Sequence, residues 1–347
     1  MSIVFLLYIQ LKMVYHNGVK NLGEEVQTME MVKLTPSVAD NIWGGTRLIT
    51  EYGIKTDKNP AAEAWVLSCH PAGPSTVQNG EFAGKTLQDA FLADKSICGK
   101  KGERFEFFPL LIKFIDAKQN LSIQVHPDDE YAMRVEGEYG KTEAWYILDC
   151  DPDAELILGF NREVSVEEFK KAAQSDEMMD ICNKIKVKKG DLFFIESGTM
   201  HAICKGILLA EVQQNSNTTY RIYDYGRLGK DGKPRELHVD KAADVTKRCP
   251  PEIKDASERR TEKFDGAVRA ELTSCDLFTM YKLDVDGKYI AVADDESFVS
   301  LLCLEGEGKV KCGETELTMV KGESIFIPAS SGEFTVEGKL EILESTL

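Results

Sequence analysis

The chain has 347 residues, of which 43% are hydrophobic and 29% charged, with a formal charge of −16. That is enough apolar material for a packed core and enough length for two domains. The negative balance speaks against nucleic acid or an anionic membrane surface as partner, and a phosphate-bearing ligand would need its cations gathered locally.

Residues 3–11 are apolar but too short to span a bilayer. No basic residue precedes them and no small-residue cleavage site follows, so they make a poor secretion signal. Met31-Val32-Lys33-Leu34 reads as an ordinary beginning, and residues 1–30 are expected to be an extension outside the fold. A helix is expected from near Thr86. Period-2 segments then dominate: 108–115, 121–125, 143–148, 154–158, 191–195, 207–213 and 218–223 read as strands. Short strands bounded by Gly, Pro, Asn or Asp predict a mostly β fold of the sandwich or jelly-roll type. One helical segment interrupts them near 165–185. There Ser165 and Glu168 have capping-box spacing and apolar residues recur at helical spacing over 166–185. The charged stretch 247–263, with Pro250-Pro251 near its start, reads as a linker. The chain thus divides into a first domain over 31–250 and a second over 262–347.

Lys189-Gly190-Asp191-Leu192-Phe193-Phe194-Ile195 resembles Lys321-Gly322-Glu323-Ser324-Ile325-Phe326-Ile327, at an offset of 132 residues. Both runs are a turn entering an apolar strand. His201 follows the first copy, Glu333 holds its place in the second, and no histidine follows His238. The two halves are therefore expected to share a fold, with metal-ligating residues only in the first. The nine cysteines form no Cys-x-x-Cys pair and most lie beside apolar neighbours, as free thiols in a reducing compartment do.

The run from Asn120 to Asp129 carries the most chemistry. On a strand, Ser122, Gln124 and His126 share one face, and Leu121, Ile123 and Val125 the other. A polar row turned inward is costly unless something binds it. Glu143 begins a later apolar strand, with Lys141 on its face, and Ser197-Gly198-Thr199-Met200 delivers His201. Two imidazoles, a carboxylate and an amide oxygen suit zinc or a similar divalent ion with an open position. Of the other three histidines, His16 lies in the extension, while His70 and His238 have no comparable company and read as structural or surface groups.

Further runs are Asn41-Ile42-Trp43-Gly44-Gly45, Glu63-Ala64-Trp65, Gly84-Lys85-Thr86-Leu87, Gly140 to Trp145, His201-Ala202, and Glu211 to Asp224. In order and spacing these runs, with 121–129, resemble the type I mannose-6-phosphate isomerases in their short bacterial form. The likeness covers roughly 31–240, and the final domain matches only as a degraded cupin. It implies two cupin-like jelly-roll barrels or sandwiches and one Zn2+ per chain, with ligands at Gln124, His126, Glu143 and His201. It also implies a catalytic arginine at Arg221 and pocket residues at Lys113, Ser122, Lys141 and Glu211. The implied substrate is a small sugar phosphate, the implied reaction interconverts mannose 6-phosphate and fructose 6-phosphate, and the implied setting is the cytoplasm.

Aldose–ketose isomerisation needs a proton-transferring group near C1 and C2 and an electrophile for the enediolate oxygen. Glu211 is the first choice for the proton, with Lys141 supporting it or taking the role. Arg221 is the charge stabiliser. Lys113 and Ser122 fit phosphate or hydroxyl contacts. Read singly, Glu211 is as compatible with a paired buried carboxylate, Arg221 with an ion-pair partner, and Lys113 with an ammonium at a strand edge. Two other functions share the scaffold. A cupin oxygenase would use two histidines and a carboxylate for Fe(II), and a non-catalytic cupin would bind sugar alone.

Overall fold

Strict alternation of side chains builds the first half of the chain into two antiparallel sheets with one shared interior. The structure, a computed structural model, describes residues 29–252 and 259–347. Most of the expected extension therefore lies outside the described residues, as does the middle of the expected linker, and Met29 is already buried in core. A six-stranded sheet runs, edge to edge, Leu192–Ile195, Glu143–Cys150, Ile207–Gln214, Leu110–Ala117, Glu63–Leu67 and Ser37–Ala39. A five-stranded sheet runs Tyr220–Tyr223, Ile123–Val125, His201–Ile203, Glu155–Phe160 and Cys182–Lys186.

Each face of each sheet has a separate destination. On the six-stranded sheet, Ala64, Val66, Ile112, Phe114, Ala144, Tyr146 and Val212 point outward into a core shared with the second domain. Glu63, Lys113, Glu143 and Glu211 point inward by the same alternation. On the five-stranded sheet, Ile123, Val125, Ala202 and Ile222 pack beneath the helices Val166–Ala172 and Val239–Val245. That leaves Gln124 and His201 facing inward. Ile115, Ile147 and Leu209 from one sheet meet Leu156, Leu158 and Ile203 from the other, and this apolar plug closes one end of the interior. The polar row sits above the plug.

The helical insertion is shorter than its periodicity predicts. Ser165 caps Val166–Ala172 by accepting the Glu168 N–H at 3.1 Å, but the Glu168 carboxylate turns away to Arg162. The capping box is therefore only half formed. The helix stops near Gln174-Ser175, a four-residue turn Met178–Ile181 follows, and Cys182–Lys186 becomes the edge strand of the five-stranded sheet. The alternating Asn183-Lys184-Ile185-Lys186 satisfies a half-exposed edge better than another helical turn would. The expected helix after Thr86 is present as Leu87–Ala93, with Thr86 and Asp89 forming a complete capping box.

The second domain is a nine-stranded antiparallel sheet that bends around its own apolar core, which includes Leu283, Leu301, Ile325, Val336 and Ile342. Its long strands are Thr279–Ala293, Val299–Cys312 and Gly332–Thr346. The opening strand Val32–Thr35 belongs to this sheet, because Val32, Lys33 and Leu34 pair with Phe326, Ile325 and Ser324. The chain thus enters through the second domain's sheet before it builds the first. The two copies of the repeat have the same local form. Gly190 (φ 87°) and Gly322 (φ 89°) make the left-handed turn, and the strands Leu192–Ile195 and Ser324–Ile327 follow.

Candidate metal centre and active site

Two rows of side chains meet inside the first domain. In the five-stranded sheet, Gln124 lies opposite both His201 and Arg221, so the three share the inward face. In the six-stranded sheet, Glu211 lies opposite Lys113 and Trp145, and Glu143 lies opposite Gln213. His126 follows directly on the strand Ile123–Val125, and Lys141 precedes Glu143.

The imidazoles of His126 and His201 are oriented from behind. Nδ1 of His126 lies 2.9 Å from the Thr218 carbonyl oxygen, and Nδ1 of His201 lies 2.8 Å from that of Thr199. A carbonyl only accepts, so each Nδ1 carries the proton and each Nε2 presents its lone pair inward. The two Nε2 atoms lie 3.7 and 3.2 Å from the Glu143 oxygens. The donor atoms of His126, Glu143 and His201 all fall within 4.8 Å of one another, and all three residues are buried. This is the one group of its kind among the described residues. His126 Nε2 and Glu143 Oε1 have no hydrogen-bond partner, while Glu143 Oε2 has the Lys141 ammonium at 3.0 Å. Such orphaned, convergent acceptors are expensive when buried, and a divalent cation is what their chemistry fits. The Gln124 amide lies beside them with Nε2 3.4 Å from His201 Nε2. A metal-bound amide would present its oxygen there, since the nitrogen has no lone pair to give.

Behind this cluster lies a chain of alternating charge. Lys141 Nζ is 3.0 Å from Glu143 Oε2 and 3.6 Å from Glu211 Oε1. Lys113 Nζ is 3.1 Å from Glu211 Oε1 and 3.4 Å from Glu63 Oε2. Trp145 Nε1–H donates to Glu211 Oε2 at 3.0 Å. Burial would raise the Glu211 carboxyl, but the ammoniums of Lys113 and Lys141 outweigh it and hold the group below the usual carboxylate range. Burial, with repulsion from Glu211, pushes Glu143 up to about 7 against the pull of Lys141 and Lys113. Two carboxylates share two ammoniums, and Lys113 stands beside Glu211, so Glu211 keeps the charge. Burial pushes His126 well below its ordinary value and His201 down to about 4, with the Lys141 ammonium adding to both. Both imidazoles are therefore neutral and able to ligate at neutral pH.

Arg221 stands at the open end of the row. Its Nη1 donates to the Glu236 carbonyl at 2.9 Å, while Nε is buried without a partner. Its backbone is fixed by His238, whose Nδ1 accepts the Arg221 N–H at 3.1 Å and whose own N–H returns a bond of 2.7 Å. His238 thus has the structural place its sequence context suggested. Ser122 is buried directly before the strand that carries Gln124. All the candidate residues therefore lie around one interior, with Lys113 engaged by two carboxylates.

Sequence reasoning gave no role to Glu63. Its carboxylate accepts from Asn41 Nδ2 at 2.7 Å and Trp65 Nε1 at 2.8 Å, and it takes the far side of Lys113. The signal was the Glu-x-Trp alternation on one strand face. The Thr199 and Thr218 carbonyls were beyond sequence reasoning, because any residue supplies a carbonyl.

Comparison with known proteins identifies the family. Residues 31–156 match the family described as phosphomannose isomerase type I, catalytic domain, and residues 269–347 match the mannose-6-phosphate isomerase cupin domain. A mannose-6-phosphate isomerase of Bacillus subtilis is 39% identical, covering 92% of this chain and 100% of its own length. One of Streptococcus mutans is 35% identical, covering 91% and 98%. The crystal structure of a mannose 6-phosphate isomerase from Bacillus subtilis superposes with a TM-score of 0.85 at 38% identity, over 92% of this chain and 100% of that one. A zinc-bound mannose 6-phosphate isomerase, 22% identical, shares the fold with a TM-score of 0.68 over 91% of this chain and 99% of that one. These family matches, with relatives 35–39% identical over nine-tenths of the chain, make this mostly β, cupin-type chain a member of the type I mannose-6-phosphate isomerase family.

Proposed function

We propose that this chain interconverts mannose 6-phosphate and fructose 6-phosphate, with one Zn2+ held by Gln124, His126, Glu143 and His201. The observation that carries the reading is the buried convergence of His126 Nε2, His201 Nε2 and the Glu143 carboxylate, with His126 Nε2 and Glu143 Oε1 unpartnered, beside a lysine–glutamate chain. The relatives' names supply the substrate pair. Zinc bound there would act as a Lewis acid on the oxygens of the open-chain sugar.

The remaining work falls to this chain's own residues. Glu211, held ionised by Lys113 and Lys141, is assigned the proton that moves between C2 and C1. Lys141 is the second candidate for that proton, because both Glu211 oxygens already have partners while its ammonium bridges Glu143 and Glu211. Arg221, on the strand beside Gln124, stabilises the negative oxygen of the enediolate. Lys113 suits a hydroxyl contact better than a phosphate, since Glu63 and Glu211 flank it and would repel a dianion. Ser122 offers a hydroxyl at the same wall. Nine unpaired cysteines fit a reducing, cytoplasmic setting.

A coupled assay between mannose 6-phosphate and fructose 6-phosphate tests the reading. Activity should vanish with a chelator and return with added zinc. A folded, zinc-loaded chain without isomerase activity would overturn it.

A further inference from the structure

The loop after Ile207–Gln214 carries the sequence Asn215-Ser216-Asn217-Thr218-Thr219, and none of these side chains has a place in the chemistry above. Its backbone does, because the Thr218 carbonyl accepts the Nδ1–H of His126 from 92 residues away. An imidazole is held only as firmly as the carbonyl behind it. For His201 that carbonyl lies two residues away, in a turn closed by Gly198 N–H to the His126 carbonyl at 2.7 Å and Thr199 N–H to the Glu196 carbonyl at 3.1 Å. For His126 it lies in a loop with no ladder of its own.

One carboxylate gathers that loop. Glu138 Oε2 accepts from Asn217 N–H at 3.2 Å, Thr218 Oγ1 at 3.1 Å and Ser216 Oγ at 3.5 Å. Its other oxygen is 3.5 Å from Nε2 of His70, which is buried. His70 Nδ1 accepts the N–H of Ala72 at 3.1 Å, so its proton sits on Nε2 and faces Glu138. Gln213 and Gln214 tie down the other side of the loop. Gln213 Nε2 donates to the Ser216 carbonyl at 2.7 Å, and the Gln214 amide bridges Thr142 N–H and Asp129. Glu138 thus accepts from Ser216, Asn217 and Thr218, the residues that carry and precede that peptide.

We propose that Glu138, seated by His70, is a positioning residue of the metal centre: it fixes the 216–218 loop so that the Thr218 carbonyl sets the ring of His126. The proposal rests on the reading that His126 holds a metal ion. Partners of this outer kind affect metal affinity by roughly 10–100-fold. Glu138 acts through a peptide rather than on the ring, which places it at the low end of that range.

The test is zinc affinity, measured on the metal-free full chain by competition with a chromophoric chelator, with no sugar present. Glu138→Ala should weaken zinc binding about tenfold and alter the visible spectrum of the cobalt(II) form. Glu138→Gln should retain most of the affinity, because its amide oxygen still accepts from Asn217 and Thr218. Val336→Ala, in the second domain's core, should lower Tm and leave zinc affinity unchanged. Wild-type affinity in Glu138→Ala, equal losses in the Gln and Ala variants, or an equal loss in Val336→Ala would each overturn the proposal. A wild-type chain that takes up no zinc would remove the metal reading itself, and this inference with it.

Discussion

Gln124 and Arg221 face each other across adjacent antiparallel strands, and their side chains leave the sheet on the same side. His201 flanks Gln124 on its other edge. A permanent cation and two candidate ligands are thereby locked into one row by backbone register. A slip of one residue in the strand Tyr220–Tyr223 would turn Arg221 toward the helices and bring Ile222 into the site.

If Arg221 acts on the enediolate, its interaction strengthens as the proton leaves carbon. Arg221→Ala should then lower kcat and kcat/KM together by roughly 10²–10³-fold, with KM and zinc content little changed. Lysine at this position should rescue in part, keeping the charge without the planar fork. Steady-state kinetics with metal analysis checks this. A raised KM at normal kcat would assign Arg221 to phosphate binding instead, and a lower Tm with normal kinetics would make it structural.

His126→Ala removes one of three convergent donors. The variant should lose zinc and activity together while the apolar packing on both sides of its strand keeps the fold. Metal analysis of the whole chain carrying His126→Ala and His201→Ala should find no stoichiometric zinc. Zinc remaining in that double variant would reveal a second site.

Much of this site was legible in the sequence, because strand alternation is a local property. Gln124 had to turn away from Ile123 and Val125 once that segment was a strand, although the strand is Ile123–Val125 rather than 121–125 and Ser122 and His126 flank it. What alternation cannot give is the partner across the interior. That Glu143 and Glu211 lie on the opposite sheet, and that Glu63 closes the lysine chain, depends on long-range pairing. The insertion was read too long because Met178, Ile181 and Ile185 keep helical spacing through the break at Gln174-Ser175, and tertiary pairing of Cys182–Lys186 overrode it. The opening strand Val32–Thr35 was placed with the first domain for the same reason: sequence order does not show which sheet an edge strand joins.

Lys113 is buried between two carboxylates, and removing one partner from such an arrangement leaves charge stranded. Lys113→Met should destabilise the fold by about 3–5 kcal/mol. Denaturant unfolding of the metal-free protein measures this. Unchanged stability would mean that the ammonium carries no structural load and is free for substrate.

Asp224 accepts from Arg235 at 2.8 and 2.6 Å and from Arg227 at 2.5 Å. Burial would raise its carboxyl, but the two guanidiniums win and hold it below the ordinary value. A depressed folded pKa means that the contribution is complete above the unfolded value, about 3.9, and fades as pH falls through the folded one. Thermal melts should show Asp224→Asn less stable than wild type at pH 6, with the gap closing below about pH 4. A gap that does not narrow at all as the pH falls below about 4 would count against the ion pairs as its cause.

The second domain should not stand alone. Residues 259–347 without the rest of the chain would leave Ser324–Ile327 unpaired on one edge and expose Phe298, Leu302, Phe326 and Leu343. This fragment is expected to aggregate or to melt well below the full chain, and a well-dispersed, cooperatively folded fragment would contradict it. In the full chain, Phe298→Ala should cost about 3–5 kcal/mol and shift a single unfolding transition, since its ring stacks on Phe108 across the shared core.

The pairing of Val32–Thr35 with Ser324–Ile327 also sets a schedule for the newborn protein. Val32–Thr35, the first strand among the described residues, meets its partner Ser324–Ile327 about 290 residues later. At a synthesis rate of about 5–20 residues per second, it waits roughly 15–60 s with that edge open, although Thr76–Val77 can pair with its other edge early. The half with the candidate metal centre can close its own two sheets during that interval, but the outer face of its six-stranded sheet stays uncovered until the last strands arrive. Burden on chaperones should therefore be concentrated late in translation, and truncations near the C-terminus should be the ones cells clear fastest.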